Sequence, residues 1–178
     1  MWGENVLALV DMPTIMTRVF DDLPAFPKPK DLSHVQRLRI TGCVEKPLEL
    51  TVDEVLNLPP DRVSFDFACL EGWVVPNTDW VGVKVWTLLR LAGVLPEANY
   101  VVFKSGDFTE CFSLADTHDM LVAYMHRGHR LTSEHGGPFR LVFPRQKCYQ
   151  SIKWLEEIEL TSSNVEGTAC RTALAKIK

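Results

Sequence analysis

The chain has no run of eighteen consecutive apolar residues, so no segment is expected to cross a bilayer as a helix that satisfies its own backbone. It also has no C-x-x-C pair. Its five cysteines (Cys43, Cys69, Cys111, Cys148 and Cys170) are odd in number and widely spaced, which argues against a zinc or iron–sulfur framework and for free thiols in a reducing compartment. There is no excess of basic charge. A formal net charge of -4 gives no broad positive field to hold a phosphate backbone, so nucleic acid is not expected as a partner. The apolar run at 6–10 is flanked by Glu4 and Asp11, with no basic stretch before it and no small-residue cleavage site after it. It does not read as a secretion signal, and a cytoplasmic location is the expectation. Haem and flavin motifs, internal repeats and low-complexity tracts are likewise missing from the sequence.

What is present is an ordinary globular composition, 46% hydrophobic and 24% charged over 178 residues, enough for one compact domain. Residues 1–33 carry Pro13, Pro24, Pro27 and Pro29 with little periodicity, and read as an extended arm over a core formed by 34–162. Arg37–Gly42 alternates as a half-buried strand does. Thr51 and Glu54 form a capping box before Val55, Leu56 and Leu58, and Pro59-Pro60 stops that short helix. Strand-like runs are expected over 62–68, 100–104, 110–114, 121–125, 139–143 and 156–160, with a second helix over 84–92. The tail, 163–178, is small and polar and is expected to be loosely held. Many short strands with few helices predict an α+β, strand-rich single domain, not a doubly wound sheet.

Two clusters could carry chemistry. Cys69 follows a predicted strand in Cys69-Leu-Glu-Gly-Trp73, with Trp80-Val-Gly82 beyond it. A lone cysteine there is most often a small buried hydrophobe. A thiolate is also a soft metal ligand, and Gly72 would allow a bulky group close to the backbone. The second cluster is Glu134-His135-Gly-Gly-Pro-Phe-Arg140, then Ser151-Ile-Lys153-Trp154. Histidine, arginine and lysine together can receive a phosphate dianion, or can simply be solvated charges beside a turn. His126, His129, His135 and Cys148 offer zinc-ligating atoms, but Gly128 suggests a hairpin tip that separates them.

In order, these segments resemble the molybdopterin-binding domain family of sulfite oxidase, plant nitrate reductase and the bacterial methionine-sulfoxide reductase catalytic subunit. The resemblance covers about 37–160 and rests on Cys69, on His135-Gly-x-Pro-x-Arg140, and on Ser151-x-Lys153-Trp154. It implies a sulfite-oxidase-type fold and a molybdenum-molybdopterin oxidoreductase that moves an oxygen atom to or from a small substrate. By the same resemblance Cys69 is the catalytic metal ligand, Glu71 is a carboxylate close to the metal, and His135, Arg140, Gln150, Ser151 and Lys153 contact the cofactor. With no haem or flavin motif, a separate electron-transfer partner is implied. Leu70-Glu71-Gly72 stands where sulfite oxidase has basic residues, so sulfite is a poor candidate substrate. Cys148 stands where relatives often have glycine and Gln150 where they often have a basic residue. If that backbone needs positive φ, Cys148 is strained. The alternative these two residues raise is a degenerate, non-catalytic molybdopterin-binding subunit.

Overall fold

The computed structural model describes residues 18–32 and 36–176. The apolar run at 6–10 and the first half of the predicted arm lie outside the described residues. In chain order the elements are β1 (Arg18–Val19), β2 (Arg37–Gly42), β3 (Leu48–Thr51), α1 (Val52–Leu56), β4 (Asp61–Cys69), β5 (Trp73–Lys84) and α2 (Val85–Ala92). There follow β6 (Tyr100–Ser105), β7 (Phe108–Ser113), β8 (Leu121–His126), β9 (His129–Arg130), β10 (Arg140–Val142), β11 (Glu157–Thr161) and α3 (Ala169–Lys176). The strands make two mixed sheets. One runs β3-β2-β11-β6-β7, with β2 and β11 parallel; the other runs β1-β5-β8-β10, with β4 on β5 and β9 on β8. The expected α+β, strand-rich class holds.

The predicted helices form for the predicted reasons. Thr51 Oγ1 accepts from the Glu54 N–H at 3.3 Å and Glu54 Oε2 accepts from the Thr51 N–H at 2.8 Å, which closes the capping box of α1. On α2, Val85, Leu88, Leu89 and Ala92 face inward at helical spacing, and Gly93 ends the helix at positive φ. The longest strand, β5, is not visible in the sequence because Pro76, Asn77, Asp79 and Gly82 interrupt its run. Its pairing with β4 shifts register between Phe65 and Phe67, which accommodates Pro76 and leaves Asn77 at φ 50°, held by its N–H to Asp66 Oδ1 at 2.9 Å.

The β5-β8-β10 sheet buries both faces, and alternation along its strands assigns each residue to a side. Val122, Tyr124 and Leu141 join the main core with α2 and the second sheet; Leu121, Ala123 and Val142 join a smaller core of Phe67, Trp73, Val75, Trp80 and Leu23. The tail corrects the expectation of a loose end. α3 buries Ala169 completely, and Thr168 exchanges hydrogen bonds with Thr109 on β7.

His126 ends β8 beneath Asp22, its ring centroid 4.4 Å from that of Trp80. Its Nε2–H donates to Asp22 Oδ1 at 3.1 Å, and its buried Nδ1 has no partner among the described residues. A second ring proton would thus meet no acceptor. Burial lowers the His126 pKa, against the pull of Asp22. At Asp22 burial acts upward, but the Leu23 N–H and His126 bring the carboxyl below its usual value. The unfolded imidazole takes up its proton near 6.5, before the folded one does, so acidification through that range favours unfolding. Urea unfolding is therefore expected to show a lower midpoint at pH 5.5 than at pH 7.5, with a smaller difference in His126→Gln; an unchanged difference would show that other groups carry it.

Candidate active site

Cys69 is the last residue of β4 and pairs with Trp73, so Leu70, Glu71 and Gly72 form a three-residue hairpin turn. Gly72 sits at φ 81° and returns its N–H to the Cys69 carbonyl at 3.0 Å, a conformation that a side-chain-bearing residue adopts with strain. Gly72 thus has a turn to make, beyond admitting a ligand. Glu71 is exposed at the rim, where Trp73 Nε1–H donates to its Oε2 at 3.1 Å. Across from the turn, a one-turn helix at Cys148–Gln150 brings a second thiol to the first. The two Sγ atoms lie 2.6 Å apart.

Backbone N–H groups of Glu71 point at Cys69, and those of Leu70 and Tyr149 at Cys148. The hydrogen bond between the sulfurs raises the Cys69 thiol and lowers Cys148 to about 6. The pair therefore releases a first proton more readily than a lone thiol and a second less readily. Cys148 itself is not at positive φ. That strain falls on Arg145 (φ 62°) and Trp154 (φ 53°), which corrects the expectation drawn from its position.

Strand alternation turns Arg140 to the same side as Val142, and so into the smaller core. It is 3% exposed, with its guanidinium carbon 5.1 Å from the Phe67 ring centroid and 5.3 Å from that of Trp80. Nε–H donates to Ser151 Oγ at 2.8 Å and Nη1–H to the His135 carbonyl at 3.1 Å; the Ser151 hydroxyl in turn donates to the Leu141 carbonyl at 2.9 Å. Among the described residues no carboxylate pairs with it. Burial pushes the guanidinium down to about 9, so it stays cationic at neutral pH. The turn before β10 is equally tight, since a Cβ on Gly137 would stand 2.2 Å from the Leu131 carbonyl oxygen.

These groups face one cavity of about 570 Å³. Of the residues expected at a site, Cys69, Glu71, Arg140, Ser151 and Lys153 line it, together with Ser105, Asp107 and Cys148. His135 and Gln150 stand behind the wall. The His135 Nε2–H donates to the Leu23 carbonyl at 3.1 Å while Nδ1 meets the Thr132 hydroxyl, so its ring fastens the arm. Gln150 accepts from the Lys147 N–H at 3.0 Å and donates to Glu110 at 3.1 Å, which holds the loop that carries Cys148.

Sequence reasoning missed two parts of the wall. The arm contributes Leu23, Pro24 and Phe26, whose ring centroid lies 3.8 Å from Lys153 Nζ, and α3 contributes Thr172 and Ala173. No local pattern marks either, although prolines that stiffen an arm are consistent with a fixed wall.

The sequence and the architecture match known proteins. The oxidoreductase molybdopterin binding domain model matches residues 25–169, and the chain belongs to that family. It is a molybdopterin oxidoreductase domain of the sulfite oxidase type. It is 35% identical over 133 residues to the uncharacterised oxidoreductase YuiH of Bacillus subtilis, covering 73% of this chain and 67% of that one. It is 29% identical over 155 residues to the catalytic subunit of the protein-methionine-sulfoxide reductase MsrP of Campylobacter jejuni, covering 74% of this chain and 51% of the relative. Against a nitrate reductase of Volvox carteri it is 30% identical over 160 residues, covering 70% of this chain and 18% of the other. The crystal structure of the sulfane dehydrogenase SoxCD from Paracoccus pantotrophus superposes with a TM-score of 0.70 at 27% identity, over 75% of this chain and 40% of that one. The chain thus spans about two thirds of the Bacillus protein, about half of the Campylobacter protein and less than half of the other two. Among the described residues no helix is long and apolar enough to cross a membrane.

Burial opposes the Arg140 charge and the Cys148 sulfur favours it, and the cost of desolvating such a buried charge commonly exceeds what its partner returns. Cofactor-free Arg140→Met is therefore expected to unfold in urea at or above the wild-type midpoint. A large drop would assign Arg140 to the fold instead of to a ligand.

Proposed function

We propose that the chain is the catalytic molybdenum-molybdopterin module of an oxygen-atom-transferring oxidoreductase, with Cys69 as the protein's ligand to the metal. The observation that carries this reading is a buried guanidinium that no carboxylate pairs with among the described residues, in the same cavity as a thiol that the Glu71 backbone N–H faces. An anionic cofactor that also needs a soft ligand suits that combination. When bound, the group supplies two-electron storage and oxygen transfer at its metal.

The chain's own residues would bind, orient and exclude water. Arg140 offers a planar fork and Lys153 a compact charge to the cofactor's phosphate, while Ser151 fixes the Arg140 Nε–H and so aims the fork. His135 and Gln150, also assigned to the cofactor by the family pattern, act here by positioning: His135 holds the arm against the cavity, and Gln150 holds the turn at Cys148–Gln150. Pro24, Phe26 and Trp154 keep bulk water from the deep end. The Cys69 thiol must give up its proton to ligate, and the Glu71 N–H is placed to favour its anion.

Glu71 stands at the rim beside Cys69, and its negative charge disfavours a dianion such as sulfite relative to a neutral oxygen donor such as a sulfoxide. Two of the relatives are named for protein-methionine sulfoxide and for a sulfane, which fits a sulfur-containing substrate. Electrons pass to or from a redox group outside the matched domain, whether in another protein or elsewhere in the same one.

Expression in a host that makes the cofactor, followed by elemental analysis and pterin release, tests this reading. Wild type is expected to carry stoichiometric molybdenum and pterin, and Cys69→Ser to show an altered metal spectrum and lost oxygen transfer. Arg140→Gln, which removes charge-assisted hydrogen bonds, is expected to retain pterin about 10- to 100-fold less well. Wild type free of both metal and pterin would overturn the proposal.

A further inference from the structure

The pairing of Cys148 with Cys69 is not explained by cofactor binding, which calls on one protein sulfur in the reading above. The two thiols converge from separate elements, the β4–β5 turn and the short helix at Cys148–Gln150, each fixed by its own backbone hydrogen bonds. The Gly72 N–H closes the first on the Cys69 carbonyl, and the Gln150 N–H closes the second on the Lys147 carbonyl at 2.8 Å. The sulfurs meet at 2.6 Å and both line the cavity, so a small oxidant that enters it reaches them together. Cys43 and Cys111 do not line this cavity, and neither does Cys170, which bonds the Tyr149 hydroxyl.

We infer that Cys69 and Cys148 form a reversible thiol–disulfide pair in the cofactor-free chain, which shields the Cys69 sulfur and makes cofactor loading depend on its reduction. The dependence on loading rests on Cys69 being the metal ligand; the disulfide does not. With a low-molecular-weight disulfide as oxidant, one thiolate of the pair attacks a sulfur of that disulfide and expels one small thiolate. The second protein thiolate then attacks the mixed disulfide at the protein sulfur and expels the other. Two protein thiols thereby lose two protons and two electrons, and the small disulfide becomes two small thiols. A dithiol reverses both steps. A lone thiol in the same place would stop at the mixed disulfide, or be carried by peroxide toward irreversible sulfinic acid.

The test uses the full chain expressed without cofactor, treated with oxidised glutathione, quenched and mapped by mass spectrometry. The expected result is loss of two of the five free thiols, a cross-link between the peptides that carry Cys69 and Cys148, no retained glutathione, and full reversal by dithiothreitol. Cys148→Ser is expected to lose the cross-link and to carry glutathione on Cys69 instead. Five intact thiols in wild type, or glutathione on wild-type Cys69 as in the variant, would overturn the pair.

Incubation of reduced and oxidised chain with molybdenum cofactor tests the second clause by bound metal and pterin. Uptake only after reduction supports it, and equal uptake by both forms overturns it. No uptake by either form would remove the loading clause together with the metal reading, while the peptide map still decides the disulfide.

Discussion

The site depends on the two edges of β5. Along one edge β5 pairs with β4 from Gly82 back to Trp73, which carries Cys69 to the tight end of the hairpin. The other edge is shared: β8 takes Trp80 to Lys84, and β1 takes Trp73 and Val74. That division lets the arm enter beside the cysteine turn, with the Arg18 N–H on the Gly72 carbonyl and the Phe20 N–H on that of Val74. A β8 that continued along β5 would fill the same hydrogen bonds and leave the arm no place. The register shift at Val81 and Gly82 bends β5 where the change of partner begins, and no side chain fits at Gly82, where a Cβ would stand 2.1 Å from the Val122 carbonyl oxygen.

From this pairing follows a core in two parts with different jobs. The larger part, with α2 and the second sheet, is mostly aliphatic and holds the fold. The smaller holds Phe67, Trp73 and Trp80, the first and last of them against one guanidinium, and it opens into the cavity. Rings that stack on a guanidinium lower the cost of burying it but do not neutralise it. The Cys148 sulfur offsets the charge in part, and the rest is left for something that enters. A ligand that supplies the counter-charge binds only the folded chain and so stabilises it, which links loading to stability.

Much of the frame could be read from local pattern. Capping of α1 by Thr51 and Glu54, the inward stripe of α2 and the alternation of β2 are short-range features, encoded by neighbouring residues and stable wherever one face is buried. The motif residues Cys69, Arg140, Ser151 and Lys153 were equally legible, because residue type and spacing carry the resemblance. What escaped was set by partners far along the chain. β5 carries a proline and a glycine that only its bulges excuse, and α3 looks like a loose tail until β7 and the turn at Cys148–Gln150 give it a surface.

The same division holds at the site. The sequence alone determined which chemistries were on offer, a soft thiol, a rim carboxylate and a cluster of cations, since those are properties of side chains. Only the tertiary structure decided their arrangement. It set Arg140 in the interior with no carboxylate partner among the described residues, set His135 against the arm and Gln150 in a loop, and brought Cys148 against Cys69 from 79 residues away. Strand alternation, hairpin register and the closure of two separate turns determine where a side chain ends, and none of these is a property of the residue itself.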